Sequence, residues 1–259
     1  MSTQRNHRIS SVTLHRQQPT VSVIIPVYNE ARTLAKVIRQ AFLVHPRTEV
    51  IVVDNGSTDG SKSVAARLGA RVISYESPLG HDVGRSLGAM EAKGDVLLFF
   101  DADFVVPAKE AKPLIKAVQQ GVDVALNKYN GITSTVNVHR VVLAKHALNA
   151  ILSRTDLLGA SMTTIPHAIS RKAFHTIGAE NLAVPPLAQT IAAERGLHIK
   201  AIQLVPVGSR NRVRRRAKAV DPVGDLIIGD HLEAIQWLIQ ASDERAGLRD
   251  LTRIRETMR

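Results

Sequence analysis

The chain has 259 residues, of which 44% are hydrophobic and 22% are charged, and this composition supports a full hydrophobic core. It contains no cysteine, which excludes disulfides and thiolate metal sites, so a bound metal would need oxygen or histidine ligands. The formal net charge of +11 raises nucleic acid as a partner, but aromatic residues make up only 3% of the chain. We therefore expect no nucleic-acid partner and favour phosphate of another kind.

The ends of the chain differ from its middle. Residues 1–19 lack both apolar periodicity and the apolar stretch of a secretory signal, and we expect them to form a mobile tail. No apolar run reaches the length needed to cross a bilayer, so we expect a cytoplasmic protein, with contact at the inner membrane surface left open. The main domain is expected over residues 20–220 and an extension over 221–259.

Strand and helix patterns alternate through the first hundred residues. The predicted strands are 21–26, 49–53, 71–75 and 95–100, and the predicted helices are 30–44, 61–68 and 83–92. The strand at 95–100 is almost wholly apolar, which is typical of a strand covered on both faces in a parallel sheet. Together these repeats predict a doubly wound α/β sheet.

The second half of the chain is less regular. Helices are predicted over 109–120, 139–153 and 225–241, the last strongly apolar and followed by a charged helix, and strands over 122–126 and 167–170. We expect the C-terminal helices to pack on the main domain or to form a homo-oligomer contact.

Two carboxylates follow the apolar strand at 95–100. Asp101 and Asp103 stand two residues apart where the chain leaves the sheet, and ligands of doubly wound sheets bind beyond the carboxyl ends of the strands. Such a pair suits a hard divalent cation that bridges phosphate oxygens. The alternative is a helix-capping aspartate beside a solvated one.

Three motifs occur in order along the chain: VSVIIPVYNE from Val21, VIVVDNGSTDGS from Val50 and GDVLLFFDADFVVP from Gly94. Over about residues 21–205 the sequence resembles the GT-A-fold family 2 glycosyltransferases. The resemblance implies a GT-A fold and the metal-dependent transfer of a sugar from a nucleotide diphosphate. A uridine diphosphate sugar is the expected donor, and Mg or Mn the expected cofactor.

The resemblance also implies which residues bind. Nucleotide contacts are assigned to Pro26, Tyr28, Glu30, Asp54, Arg85, Asp101 and Ala102, and the metal to Asp103 with Asp101. Tyr28 has an aromatic face for a base, and Glu30 can accept from a ribose hydroxyl. We expect Asn29 to cap the following helix as well as to face the ligand, and Asp59 to be a structural cap.

Two positions depart from the family pattern. Asp54 resembles the aspartate that accepts from the uracil imide nitrogen, but Asn55 stands where the family often has a second aspartate. Arg85 matches the arginine of a family Arg-Asn pair, with Ser86 in place of the asparagine. As a bidentate donor, Arg85 is expected to reach the diphosphate.

A catalytic base is harder to assign. Inverting members carry a Glu-Asp pair in the acceptor half, and this chain has none there, so Glu180 and then Asp156 are the candidates. The missing pair also admits a retaining mechanism like that of the glucosyl-3-phosphoglycerate synthases, or a catalytically silent binding protein. A nucleotidyltransferase is disfavoured because the chain has no glycine-rich basic signature near its N-terminus.

A basic run follows the last apolar segment. It comprises Arg210, Arg212, Arg214, Arg215, Arg216 and Lys218. The sequence leaves three roles open for it: closing over the diphosphate, binding an acidic acceptor, or touching anionic lipid. The sequence does not identify the acceptor, and we accordingly expect an anionic or lipid-linked molecule.

Overall fold

The computed structural model of the chain describes residues 18–210, 221–251 and 253–254. Most of the tail predicted over 1–19 lies outside the described residues. So do Arg212, Arg214, Arg215 and Arg216 of the basic run. The roles proposed for them stay predictions.

A seven-stranded sheet forms the centre of the described chain. The strands are β1 (Val21–Val27), β2 (Thr48–Asn55), β3 (Arg71–Tyr75), β4 (Val96–Phe99), β5 (Val124–Asn127), β6 (His167–Ser170) and β7 (Ile199–Gln203). Their order is β3-β2-β1-β4-β6-β5-β7. Strand β6 runs antiparallel to β4 and β5, and the other neighbours are parallel. The predicted mostly parallel, doubly wound sheet is confirmed.

Helices cover both faces of this sheet. They are α1 (Ala31–Phe42), α2 (Ser61–Arg67), α3 (Val83–Glu91), α4 (Ala108–Gln119), α5 (Arg140–Ile151), α6 (Arg171–Ile177), α7 (Pro185–Glu194), the short α8 (Val207–Arg210) and α9 (Pro222–Ala241). The sequence predicted α1 to α5 and α9 but not α6, α7 or α8. Helix α7 is buried over most of its surface, so its sequence shows no polar face, and prolines at its first two positions resemble a loop.

The described residues after α9 form turns and bends, so the charged helix predicted after 225–241 is not found within 242–251 or 253–254. No helix in the described part of the chain combines the length and apolarity needed to cross a membrane.

Close packing of α3 on the sheet fixes the position of its N-terminus. A Cβ atom added to Gly88 would lie 2.5 Å from Cγ2 of Ile24, and one added to Gly84 would lie 3.0 Å from Cβ of Pro26. A larger residue at Gly88 would therefore push the helix off β1. This close approach places the first turn of α3 at the carboxyl edge of the sheet, next to Pro26.

Helix α9 closes the fold against α5 and α7. Leu148, Leu187, Ile191 and Ala234 form a small apolar cluster between these three helices, separate from the main core. Burying each large aliphatic side chain contributes about 1.5–3 kcal/mol, so α9 is held firmly against the domain. The predicted boundary at residue 220 stays a prediction, but α9 packs on the main domain.

Candidate functional site

A cleft of about 740 Å³ opens at the carboxyl edge of the sheet. Its lining includes seven residues that the sequence assigned to nucleotide or metal, namely Pro26, Tyr28, Glu30, Arg85, Asp101, Ala102 and Asp103. They come from the ends of β1 and β4 and from the first turn of α3. Parallel strands end at one edge of a sheet, and this brings together residues that are distant in the chain.

The loop after β1 is tied to the turn after β2. The amide of Thr58 donates to Oδ1 of Asn29 at 2.8 Å, and Asn29 adopts a positive φ of 55°. Asp59 accepts from the amide of Ala31 at 2.9 Å and from the hydroxyl of Ser61 at 2.6 Å. Asp59 thus satisfies the first amide of α1, in line with the structural capping role predicted for it, whereas the N-cap position of α1 is Glu30 and the capping role expected for Asn29 is wrong.

Asp54 lies at the end of β2 but faces the protein. It is 2% exposed, its Oδ1 accepts from the amide of Ser57 at 3.2 Å and its Oδ2 from the hydroxyl of Ser74 at 3.0 Å. Oδ1 therefore stabilises the turn that follows β2, and Oδ2 ties β2 to β3. Contact between Asp54 and a nucleobase stays a prediction.

Asn55 explains one departure from the family pattern. Its Oδ1 accepts from the amide of Leu79 at 2.6 Å, and its Nδ2 donates to the carbonyl of Gly80 at 3.1 Å. An aspartate has no donor, so it would repel the Gly80 carbonyl. The carboxamide therefore anchors the glycine-containing segment that leads into α3.

Asn55→Asp is expected to loosen that segment and to cost about 1–2 kcal/mol of unfolding free energy, because one hydrogen bond becomes a repulsion. Hydrogen exchange of the amides at residues 79–84 should quicken. The control is Asn137→Asp, which makes the same change at an exposed side chain. Equal exchange at 79–84 in both variants would contradict the anchoring role.

Arg85 is held between two carboxylates. Its Nη1 pairs with Asp82, and its Nη2 donates to Oδ1 of Asp101 at 2.9 Å, while its side chain is 7% exposed. Burial by itself lowers the pKa of Arg85, but Asp82, Asp101 and Asp103 outweigh it and raise the pKa above its ordinary value. The buried Nε has no hydrogen-bond partner among the described residues. Arg85 thus orients Asp101 and stays charged.

The paired carboxylates can take part of a metal's coordination shell. Asp101 is 32% exposed at its side chain, and Asp103 is exposed. The described residues contain no group of three or more histidine, cysteine, aspartate or glutamate side chains that would hold a metal alone. Mg²⁺ keeps water and substrate phosphate oxygens in its shell and needs only one or two protein carboxylates. The residues present therefore fit a hard cation that binds together with a phosphate ligand.

The family follows from a sequence match that spans this cleft. The model of glycosyl transferase family 2 matches residues 22–177, more than half of the chain. The chain belongs to that family. The family predicted from the three motifs is confirmed.

Curated relatives match part of this family 2 chain. Glycosyltransferase AglD of Haloferax volcanii is 36% identical over 115 residues, and the match covers 39% of this chain and 18% of that protein. The 4,4'-diaponeurosporenoate glycosyltransferase of Staphylococcus haemolyticus is 30% identical over 148 residues, 55% of this chain and 38% of that protein. The undecaprenyl-phosphate 4-deoxy-4-formamido-L-arabinose transferase of Pseudomonas syringae is 33% identical over 114 residues, and the match covers 40% of this chain and 34% of that protein. The match thus spans less than two fifths of each relative.

Solved structures share the fold across most of the chain. Glucosyl-3-phosphoglycerate synthase from Mycobacterium tuberculosis in complex with UDP has a TM-score of 0.62 at 21% identity, covering 90% of this chain and 82% of that one. The same enzyme with Mn²⁺, UDP and phosphoglyceric acid has a TM-score of 0.58 at 19% identity, with coverage of 90% and 80%. At this identity the likeness establishes the GT-A fold.

Asp156 lies away from the cleft of this family 2 chain. Both its oxygens accept from Arg154 at 2.8 Å, and Arg154 also donates to the carbonyl of Ile199, the first residue of β7. Because β7 runs parallel to β5, its first residue lies toward the opposite edge of the sheet. Hydrogen bonding from Arg154 also lowers the pKa of Asp156. Asp156 is not among the residues that line the cleft, and its role as a base stays a prediction.

Glu180 begins a short 3₁₀ turn beside α3. The carbonyl of Ala179 accepts a hydrogen bond from the hydroxyl of Ser86, while the side chain of Glu180 is exposed and its Oε1 accepts from Nδ2 of Asn181 at 3.4 Å. Glu180 is not among the residues that line the cleft. Its role as a base stays a prediction.

The N-terminal half of α9 lines the cleft, and sequence reasoning missed this. Asp221, Val223 and Ile227 contribute to the lining. Nε2 of His139 lies 3.2 Å from Oδ2 of Asp221, which joins α9 to the start of α5. Gly208, which precedes the basic run in the chain, also lines the cleft. The only signal in the sequence was the Asp-Pro start of α9, a helix N-cap pattern.

Asp230 is a second missed residue on α9. Burial, followed by the negative charges of Asp82 and Glu233, raises its pKa to about 6, and His81 opposes this shift. Asp82 and His81 both line the cleft. Asp230 therefore titrates close to neutral pH at the side of the cleft that faces α3.

Proposed function

We propose that the protein transfers a sugar from a nucleotide diphosphate donor to an acceptor, with UDP as the nucleotide and Mg²⁺ or Mn²⁺ as the metal. The observation that carries this proposal is the position of Asp101 and Asp103 in one cleft with Tyr28, Glu30 and Arg85. The Mn²⁺ and UDP complexes of the solved synthase described above support the choice of metal and nucleotide.

In this mechanism each lining residue has a separate task. Asp101 and Asp103 would hold the metal, which neutralises charge on the diphosphate as it leaves the sugar. Arg85 keeps Asp101 in place and adds positive charge on the diphosphate side of the cleft. Tyr28, 52% exposed, offers its ring to the base, and Glu30 accepts from the ribose.

The positions of the candidate bases support a retaining reaction, in which the leaving diphosphate helps to remove the proton of the acceptor hydroxyl. Neither candidate base lines the cleft. Asp221 does line it, but hydrogen bonding from the amide of Gly224, followed by His139 and Arg140, lowers the pKa of Asp221 and makes it a weak base. The inverting alternative requires Glu180 to enter the cleft when the acceptor binds.

The acceptor side is less defined. Relatives named for a carotenoid acid and for undecaprenyl phosphate support a lipid-linked acceptor, and the basic run supports an anionic one. A homo-oligomer through the C-terminal helices stays part of the proposal.

The test is metal-dependent turnover of a UDP-sugar. We expect UDP-glucose, UDP-galactose or UDP-N-acetylglucosamine to release UDP slowly with Mn²⁺, and EDTA to stop the release. Calorimetry should show one UDP site per chain. UDP binding without any release would favour the catalytically silent alternative. No UDP binding in a folded sample would refute the proposed donor.

A further inference from the structure

Behind one wall of the cleft lies a buried pair of basic side chains that the proposed mechanism does not use. Lys145 on α5 is 8% exposed, and its Nζ donates to Oγ1 of Thr164 at 2.6 Å. His231 on α9 is 2% exposed, and its Nδ1 lies 2.7 Å from the carbonyl oxygen of Ile227. A carbonyl only accepts, so Nδ1 carries the proton. Nε2 of His231 has no hydrogen-bond partner among the described residues.

No acid balances the Lys145 ammonium within the described chain. Burial lowers the pKa of Lys145 to about 8, with no opposing carboxylate. Burial also lowers the pKa of His231, and the charge of Lys145 lowers it further. Of the acidic residues in the sequence, only Glu256 lies outside the described residues. A buried charge without a partner is strongly unfavourable, so this pocket holds an excess of positive potential.

The pocket adjoins the cleft at two points. Thr163, next to Thr164 in the chain, lines the cleft, and so does Ile227, whose carbonyl binds His231. Buried polar side chains also hold the segment that carries Thr163: Asn149, one turn after Lys145 on α5, donates to the carbonyls of residues 158 and 160. The wall at Thr163 is thus rigid and backed by a positive charge.

The rest of the cleft lining is rich in carboxylates, namely Glu30, Asp82, Asp101, Asp103 and Asp221. Arg85 lies among them and pairs with Asp82 and Asp101. Away from Arg85, an anionic group that enters the cleft therefore meets its most favourable potential at the Thr163 wall.

We propose that the Thr163 wall, backed by Lys145, Thr164 and His231, is an anion subsite for the acceptor. The acceptor would carry a carboxylate or a phosphate, placed at the Thr163 wall and balanced by the buried ammonium behind it. Neutral His231 supplies an acceptor nitrogen in the pocket and leaves the charge of Lys145 in place. A carboxylate at the same position would cancel that charge. This inference rests on the proposed function and adds the chemical class of the acceptor.

Calorimetry on the full chain tests the subsite with phosphate, glycerol 3-phosphate and 3-phosphoglycerate as probes, each with and without UDP and Mn²⁺. We expect at least one probe to bind the parent, and Lys145→Met to weaken its binding at least tenfold. Met has similar length and no charge, so it fills the same space. Lys116→Met, on the exposed face of α4, removes the same charge and should bind like the parent.

Proton linkage separates a charge effect from a packing effect. An anion beside Lys145 raises its pKa, so at pH 8 the parent should take up as much as about half a proton on binding, measured in buffers of different ionisation enthalpy. Lys145→Met should take up none at this site. Lys145→Arg keeps the charge and should retain anion binding without the uptake.

Each result supports or overturns the anion subsite. Loss of affinity in Lys145→Met alone, with proton uptake in the parent, supports the subsite. Equal affinity in Lys145→Met and the parent, or no binding of any probe to the parent, overturns it. Failure of UDP to bind counts against the proposed donor only, because the titrations without UDP still measure the anion subsite.

Discussion

Asp103→Ala is expected to lower Mn²⁺-dependent turnover of the sugar donor by about 10²- to 10³-fold, the cost of removing one charge-stabilising group from an active site. Asp103 is exposed in the cleft, whereas its neighbours Ala102 and Phe104 are buried, so truncating its side chain removes a ligand without opening a cavity. UDP release over a series of Mn²⁺ concentrations measures both the rate and the apparent metal affinity. Both should fall.

The matched control for Asp103 lies at the other end of the same strand. Asp95 is exposed just before β4, toward the opposite edge of the sheet, and Asp95→Ala makes the same substitution there. This control should turn over at the parental rate and unfold at nearly the same temperature. Parental turnover in Asp103→Ala at every Mn²⁺ concentration would rule out Asp103 as a metal ligand.

The sequence predicted which residues lie at the carboxyl ends of β1 and β4 because local patterns determine them. Strands β1 and β4 are apolar on both faces, which identifies them as central strands. Parallel strands end at one edge, so the polar residues after them must meet. The approach of Tyr28 and Glu30 to Asp101 and Asp103 follows from that rule and from the family motifs.

The proposed acceptor side depends on contacts that no local pattern reveals. Lys145 is an ordinary residue on a predicted helix until the fold places Thr164 against it. His231 becomes buried only because α9 packs back on α5 and α7. Asp156 lies outside the cleft lining because Arg154 holds it beside the first residue of β7, a contact between segments about 45 residues apart. Long-range packing, which periodicity does not encode, therefore decides this half of the site.

Lys145→Met is expected to stabilise the ligand-free protein by roughly 2–3 kcal/mol at pH 7, and the gain should shrink at alkaline pH. Burial lowers the pKa of Lys145 from 10.5 to about 8, so below pH 8 the folded protein bears the full cost of a buried charge. The lost hydrogen bond to Thr164 offsets about 1 kcal/mol of the gain. The stability of Lys145→Met therefore measures what the buried charge costs the ligand-free protein, separately from its proposed role in anion binding.

The pH window of this effect follows from the two pKa values of Lys145. Between about 8 and 10.5 the folded parent has released the proton that the unfolded chain still holds, so parental stability rises relative to the variant. His231 is the titratable group that α9 places beside Lys145, and its lowered pKa keeps it neutral throughout this window. Urea unfolding at pH 7, 9 and 10.5 measures the difference, with Lys116→Met as the control. A difference that is constant over this range would show that Lys145 is not a buried ammonium.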